Sequence, residues 1–345
     1  MIVLCTAEVS SYIKELENQL DIIYEGWVIN QTILTEDEMA ELVLKYQPSI
    51  LITSYDPITK KVIDSSKNLE LIVCTRANPV NVDIQYLREK NILLSYSPGR
   101  NSDCTAEYTV ALMLSIMRKI PIAYHDLKMG LHTAKTETER DIKDGLKRDV
   151  TWSLGKDTPY IIYKGYQMKG RTVGIIGYGS IGRLVANICR GFGMNIIAYD
   201  PFSEKGTDDT TFVDSVLELA EKADILTVHC KDTPETYHLI NKEVFDHMKK
   251  DAFFINTSRG VLVDETALIE ALLNKKIAGA AIDVFDSEPI SDNHPFLTKC
   301  DNIIVTPHLA GATYDAIENH TVQLVTDIQH FLKAEALEFE YNNEY

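Results

Sequence analysis

Residues 173–182 read Val-Gly-Ile-Ile-Gly-Tyr-Gly-Ser-Ile-Gly, an apolar run passing into a G-x-G-x-x-G at Gly177, Gly179 and Gly182. The apolar spacing of Val185, Ile188, Cys189 and Phe192 then predicts a helix. A second apolar run, Asn195–Tyr199, ends in Asp200, eighteen residues past Gly182. Strand, glycine turn, helix and strand-end acid are what a dinucleotide requires. The first glycine makes the tight turn, the second lets the backbone approach a pyrophosphate, and the third lets helix and strand pack closely. The helix N-terminus offers free amides and a partial positive charge to the phosphates. A carboxylate at Asp200 accepts hydrogen bonds from the ribose hydroxyls and repels a 2′-phosphate. Pro201 and Phe202 follow it with no arginine close by, which selects NAD over NADP.

Outward from this stretch, the chain reads as alternating α/β throughout. Toward the N-terminus, Ile2–Cys5, Ile50–Thr53, Leu71–Cys74 and Ile92–Leu94 read as strands, with Glu36–Tyr46 and Val82–Lys90 as helices. A long helix is expected from near Ser102 to past Arg118, with Pro121 bending or interrupting it. Between His125 and Lys169 the composition turns polar, with Trp152 and Pro159-Tyr160 as aromatic exceptions placed for a cleft or a partner subunit. Six strands are expected beyond it: Val173–Gly177, Asn195–Tyr199, Ile225–His229, Phe253–Asn256, Ala278–Asp283 and Asn302–Thr306. A final helix spans about Tyr314–Lys333. The fold class is α/β, with two doubly wound parallel-sheet domains, Rossmann-like and flavodoxin-like.

The 345 residues suffice for two cores, and 45% apolar with 25% charged residues is the balance of a globular protein. A net charge of −17 disfavours nucleic acid and anionic membrane surfaces and favours a small-molecule partner. No apolar run approaches the roughly 20 residues of a membrane span, and Met1–Thr6 is too short for a signal peptide. The six cysteines are dispersed without a C-x-x-C pair, which points to a reduced, cytoplasmic chain. No histidine spacing reads as a metal site.

In open α/β sheets ligands bind outside the carboxyl ends of the strands. Arg259, Glu288 and His308 each follow such an end. Hydride transfer to a carbonyl needs a proton donor, and imidazole titrates nearest neutrality. A carboxylate beside it fixes the tautomer and stabilises imidazolium, and a guanidinium holds a substrate carboxylate through two parallel bonds. Reduction of a 2-oxo acid calls for this set.

The glycine motif, Asn256-Thr257-Ser258-Arg259-Gly260, Asp283-Val284-Phe285 with Glu288-Pro289, and Thr306-Pro307-His308 together resemble the D-isomer-specific 2-hydroxyacid dehydrogenases, of the phosphoglycerate-dehydrogenase-like kind. The resemblance covers nearly the whole chain and is densest from Gly170 to Ala312. It implies two domains separated by a deep cleft: a substrate-binding domain of residues 1–101 plus 314–345, and an NAD-binding Rossmann domain of 102–313. It implies that His308 is the acid/base, assisted by Glu288, and that Arg259 binds the substrate carboxylate and polarises the keto oxygen. Asp283 would meet the nicotinamide carboxamide, and the Ser180 and Ile181 amides the pyrophosphate. His229 and Thr257 would complete the cofactor site. Ala77 and Asn78, in Arg76-Ala77-Asn78-Pro79, would grip the substrate carboxylate with backbone amides. The helix from Ser102 is the element through which family members form homodimers. This chain departs from the family in the stiffer, more polar Asn78-Pro79-Val80-Asn81 and in His229-Cys230-Lys231-Asp232, which replaces a more apolar stretch. A phosphorylated substrate would need extra cations, for which Arg76 and Arg100 are the candidates. The same fold also occurs in NAD-binding transcriptional corepressors, so an NAD(H)-sensing, corepressor-like scaffold is the alternative; the lack of basic patches and long disordered tails argues against it.

Overall fold

The computed structural model describes residues 1–133, 157–203 and 209–342. The chain divides into two compact units, Met1–Asn101 with Ala312–Tyr345, and Ser102–Gly311.

The first unit is a five-stranded parallel sheet of β1 (Ile2–Cys5), β2 (Asp21–Tyr24), β3 (Ile50–Thr53), β4 (Leu71–Cys74) and β5 (Leu93–Ser95). Their order, β2-β1-β3-β4-β5, is the flavodoxin-like one. Successive side chains alternate faces. Val3, Ile50, Ile52 and Val73 enter one core, and Leu4, Leu51, Ile72 and Cys74 the other. The first face is closed by the C-terminal helix Tyr314–Leu332, through Leu324, Val325 and Ile328. Thr313 caps that helix by accepting from the Ala316 amide at 3.0 Å. Asp327, fully buried on the helix, accepts from the Ser95 hydroxyl and the Glu338 amide, and so ties the tail to β5.

The second unit carries β6 (Thr172–Ile176), β7 (Asn195–Tyr199), β8 (Thr211–Phe212), β9 (Ile225–Val228), β10 (Phe253–Asn256), β11 (Gly279–Ile282) and β12 (Ile303–Val305). All pair in parallel, in the order β12-β11-β10-β9-β6-β7-β8. Counted from β6, this is the Rossmann order with a seventh strand, and its switch point lies between β6 and β9. Val173, Ile175, Phe253 and Ile255 face the core shared with helices Ser102–Met117 and Ser180–Gly191. Ile176, Leu226, Phe254 and Ile282 face the opposite core.

Three expectations are corrected. The second sheet has seven strands, not six, and the first has β2 in addition to the four expected. Both additions are edge strands: β8 is two residues long, and β2 buries no residue completely. The long helix ends at Met117; Lys119 takes a left-handed φ of 55°, and Pro121 lies in the first turn of a new helix, Ile120–Lys128. Proline is tolerated there because first-turn amides have no intrahelical acceptor, so it opens a helix rather than bending one. Much of the polar stretch, Trp152 included, lies outside the described residues, while Pro159–Ile162 forms a short helix. Among the described residues no helix is long and apolar enough to cross a membrane.

Candidate active site

The ends of β6, β7 and β9 meet at the glycine turn. The Gly177 amide donates to the Tyr199 carbonyl at 2.9 Å, and the His229 amide to the Ile176 carbonyl at 2.7 Å. Gly177 has a φ of 87°, and a Cβ there would stand 2.7 Å from the His229 carbonyl carbon and the Cys230 nitrogen. A side chain is excluded twice over. A Cβ on Gly182 would overlap the Gly177 carbonyl oxygen, so this glycine lets the helix pack on the turn. Gly179 has nothing within 4 Å of its would-be Cβ, leaving space beside the helix start. The helix begins at Ser180 with no side-chain cap, so its first-turn amides, Ser180 and Ile181 among them, have no intrahelical acceptor. The Ser180 hydroxyl turns away, donating to Ser102 at 3.1 Å. An open cradle beside unsatisfied amides fits a pyrophosphate.

Asp200, at the end of β7, caps its own turn. Oδ2 accepts from the Tyr178 amide at 2.7 Å, and Oδ1 from the amides of Phe202 and Ser203 at 2.8 and 3.1 Å. The expectation that no arginine lies close is corrected. Arg183, on the glycine-loop helix, donates from Nη2 to the Ser203 hydroxyl at 2.8 Å, and its guanidinium lies 4.8 Å from the Tyr178 ring centroid. Arg183 lies seventeen positions before Asp200, but the chain returns along β7 to the same edge of the sheet.

The other groups sit at the same edge of the sheet. At the end of β9, the His229 ring bonds from Nε2 to Thr227 Oγ1 at 3.0 Å, while Nδ1 is buried without a partner among the described residues. Burial pushes its imidazole down to about 3, so it stays neutral across any working pH and cannot supply a proton. At the end of β10, Asn256 shapes the turn: its amide nitrogen donates to the Arg259 carbonyl and its oxygen accepts from the Ser258 amide, both at 2.9 Å. Arg259 is left exposed, held among the described residues by a 2.7 Å bond from Nη1 to the Ser258 carbonyl. The Thr257 hydroxyl, by contrast, is buried against Thr109 Oγ1 at 2.7 Å, so its side chain braces the helix Ser102–Met117 and leaves only backbone for a cofactor.

The ends of β11 and β12 join around Asp283. Its carboxylate is fully buried and accepts from the Thr306 hydroxyl at 2.5 Å and from the Leu309 and Ala310 amides at 2.9 Å each. Its carbonyl accepts from the His308 amide at 2.8 Å. A carboxylate offers about four acceptor directions, so one remains for a further donor such as a carboxamide. This clamp holds His308 in the left-handed region, φ 55°, a conformation that costs a non-glycine residue on the order of 1 kcal/mol or more. Held so, His308 Nδ1 meets Glu288 Oε2 at 2.7 Å, while Glu288 Oε1 accepts from the Phe285 amide at 3.0 Å. A carboxylate can only accept, so Nδ1 carries the proton toward Glu288 and Nε2 is the nitrogen on the ring's other side. A second imidazole–carboxylate pair, His294 with Glu265 at 3.2 Å, differs decisively. Its Nδ1 already accepts from the Phe296 amide, so neither nitrogen is available.

Glu288 and His308 therefore meet directly, and the loop that carries Arg259 packs on the Phe285 backbone at Gly260. A Cβ on Gly260 would overlap the Phe285 carbonyl, two loops pressed backbone to backbone. Asn256 and Gly260 are positioning residues that the sequence reading quoted without assigning. Gly260→Ala is expected to force these loops apart and to cost about 1–3 kcal/mol of stability, as overpacking does. Displacing catalytic groups by an ångström can cost about 100-fold in rate. Paired measurements of melting temperature and kcat/KM on this variant check it; unchanged kcat/KM would mean the loops need no such contact.

In the first unit, Ala77 and Asn78 are exposed at the end of β4. The Arg76 guanidinium lies 4.8 Å from the Tyr55 ring centroid. Arg100 Nη1 sits 3.1 Å from Nδ1 of the buried His320, whose Nε2 bonds the Glu8 carbonyl at 2.8 Å.

Residues 145–310 match the family model described as D-isomer specific 2-hydroxyacid dehydrogenase, NAD binding domain. The glyoxylate reductase of Thermofilum pendens is 35% identical over 297 residues, 85% of this chain and 80% of that protein. The D-3-phosphoglycerate dehydrogenase of Methanocaldococcus jannaschii is 36% identical over 326 residues, 93% of this chain; the chain spans only 57% of that relative's length. Among solved structures, the TT0316 protein from Thermus thermophilus superposes with a TM-score of 0.80 at 27% identity, over 99% of each chain.

Proposed function

We propose, from the premise that this chain belongs to the D-isomer-specific 2-hydroxyacid dehydrogenases and is an NAD-dependent oxidoreductase, that it interconverts a small D-2-hydroxy acid and its 2-oxo acid with His308 as acid/base. The observation that carries the assignment is the 2.7 Å His308–Glu288 bond at the strand edge that also bears the glycine turn. Bound NADH supplies the hydride. In reduction, His308 Nε2 gives its proton to the keto oxygen as the alcohol forms, and in oxidation it takes that proton back. Glu288 keeps the ring oriented and stabilises the imidazolium. Arg259 holds the substrate carboxylate in two parallel bonds and polarises the keto oxygen. The Ala77 and Asn78 amides, exposed at the end of β4, are proposed as carboxylate-binding groups of the first unit. The amides of Ser180 and Ile181 take the pyrophosphate, Asp200 the adenosine ribose, and Asp283 the carboxamide. His229, a neutral imidazole with a free buried nitrogen, and the Thr257 backbone complete the cofactor's walls.

An unphosphorylated acid is the favoured substrate. Of the two cations that could take a phosphate, Arg100 is engaged with His320, and Arg76 is stacked on Tyr55. The relatives' names, glyoxylate reductase and D-3-phosphoglycerate dehydrogenase, span both options. The test follows NADH oxidation with glyoxylate, hydroxypyruvate, pyruvate and phosphohydroxypyruvate. Turnover of one of the first three ahead of phosphohydroxypyruvate is expected; the reverse order would return a phosphate site to consideration, and no turnover on any would count against the assignment. The corepressor-like alternative is not favoured, since the relatives are named as enzymes.

We further propose a homodimer in a reducing cytoplasm. Ile120, Ile122, Tyr124 and Leu127 expose 44–65% of their surfaces on one short helix, an apolar group suited to contact with a second copy. Sedimentation should give about twice the protomer mass, and Ile122→Glu with Tyr124→Glu should return it to one. The dispersed thiols support the compartment, with burial pushing Cys5 and Cys189 up to about 12, far from reactivity.

A further inference from the structure

We propose that Arg183 is a second discriminating residue of the cofactor site: the cation that a 2′-phosphate would meet, so that the charge of Asp200 alone maintains the preference for NAD. The inference rests on the assignment of the glycine turn to NAD and deepens it.

The geometry is local and continuous. Arg183 and Asp200 share Ser203, whose hydroxyl accepts from Arg183 Nη2 at 2.8 Å and whose amide donates to Asp200 Oδ1 at 3.1 Å. They also share Tyr178, whose ring lies under the guanidinium and whose amide donates to Asp200 Oδ2 at 2.7 Å. Tyr178 is fixed in turn: it is 1% exposed, packs edge-on against Phe212 at 5.3 Å between centroids, and its hydroxyl lies 2.6 Å from Thr210 Oγ1. A rigid platform therefore carries the cation to the side of the acid. The neighbouring Arg190 is turned to other acceptors, Thr210 Oγ1 at 2.6 Å and Asn187 Oδ1 at 2.7 Å. A guanidinium beside the ribose position binds a 2′-phosphate through its planar fork, whereas a carboxylate there accepts from a diol and repels the phosphate. Both groups stand at this turn, and their opposition makes the selectivity a matter of charge balance.

Asp200→Asn isolates the charge. The amide oxygen still accepts from the Phe202 and Ser203 amides, while the bond from the Tyr178 amide to Oδ2 is given up, so the loop keeps two of its three caps while the repulsion goes. Calorimetric titration with 5′-AMP and adenosine 2′,5′-bisphosphate reads the adenosine half alone, and fluorescence titration with NADH and NADPH reads the whole cofactor. In the wild type, 5′-AMP and NADH should bind more tightly than their 2′-phosphorylated partners. In Asp200→Asn, affinity for the bisphosphate and NADPH should rise roughly 10- to 100-fold, the worth of a charge-assisted hydrogen bond freed from repulsion. Adding Arg183→Gln to that variant should remove the gain. No gain in Asp200→Asn would overturn the claim that its charge does the excluding, and a gain that survives Arg183→Gln would overturn the role of Arg183. A wild type that binds neither 5′-AMP nor NADH would instead defeat the cofactor assignment on which the inference rests.

Discussion

His308→Ala lowers kcat/KM for the preferred 2-oxo acid by about 100- to 10,000-fold, the range a positioned general acid contributes, and leaves the dissociation constant for NADH within about twofold of the wild type. The two halves of this result come from different parts of the sheet edge. The imidazole sits at the end of β12 and contacts Glu288, whereas the cofactor's phosphates are assigned to the turn after β6. Nor does the loss travel through stability. The His308 side chain is 47% exposed, and the loop is held by Asp283 through backbone amides that alanine retains. Substitution there should change folding free energy by no more than about 0.5 kcal/mol, less whatever the left-handed backbone costs either residue alike. Substrate binding separates the chemical role from a positional one. A general acid acts in the transition state, so kcat should carry most of the loss while KM moves little. His229 and His294 are the internal controls. The first is held neutral by burial and the second has both nitrogens engaged, so neither can substitute for the missing proton donor. Wild-type kcat in His308→Ala would sink the acid/base assignment outright.

What the chain discloses before folding, and what it withholds, follows from the range of the forces involved. The glycine turn is legible because its steric demands are local: no side chain fits at Gly177 or Gly182, and the residues that forbid one are backbone atoms a few positions or one strand away. The gathering of Arg259, Glu288 and His308 is legible at one remove. Each follows a strand, and parallel strands present all their carboxyl ends on one edge, so strand recognition alone predicts the neighbourhood. Side-chain partners chosen across long separations are not legible. Thr257 meets Thr109 from 148 residues away, and nothing in either segment marks the pairing. Asp283 looks like a ligand because it is an acid at a strand end; that it also clamps the His308 loop depends on the register of β11 against β12. Arg183 escapes notice beside Asp200 for a related reason, since proximity along the chain is a poor guide where a helix returns antiparallel to its strand. The edge strands β2 and β8 escape it because an edge buries little, and apolar pattern is the signal by which strands are found.

Arg259→Lys provides the second large effect, and it tests shape rather than charge. Lysine keeps the positive charge but replaces a planar fork of donors with a point cation, so a carboxylate held in two parallel bonds loses its fixed orientation. The expected loss in kcat/KM is roughly 30- to 1,000-fold, about 2–4 kcal/mol, in the range measured when one partner of a buried charge pair is truncated. The division between constants carries the diagnosis. A group that grips the carboxylate in ground and transition states raises KM, and one that also polarises the keto oxygen lowers kcat. Both constants should therefore move, in contrast to the kcat-dominated loss in His308→Ala. Arg259 is exposed and, among the described residues, bonded to the carbonyl of its own neighbour alone, so the variant should fold with an unaltered melting temperature. The shape of the turn belongs to Asn256 and Gly260, which remain. Arg259→Ala with added guanidinium ion completes the case. If the fork acts on substrate, millimolar guanidinium should recover part of the lost rate in the alanine variant and none in the lysine variant, whose ammonium occupies the space. Equal kinetics for wild type and lysine variant would show that a positive charge suffices there, and the bidentate grip on the carboxylate would have to be given up.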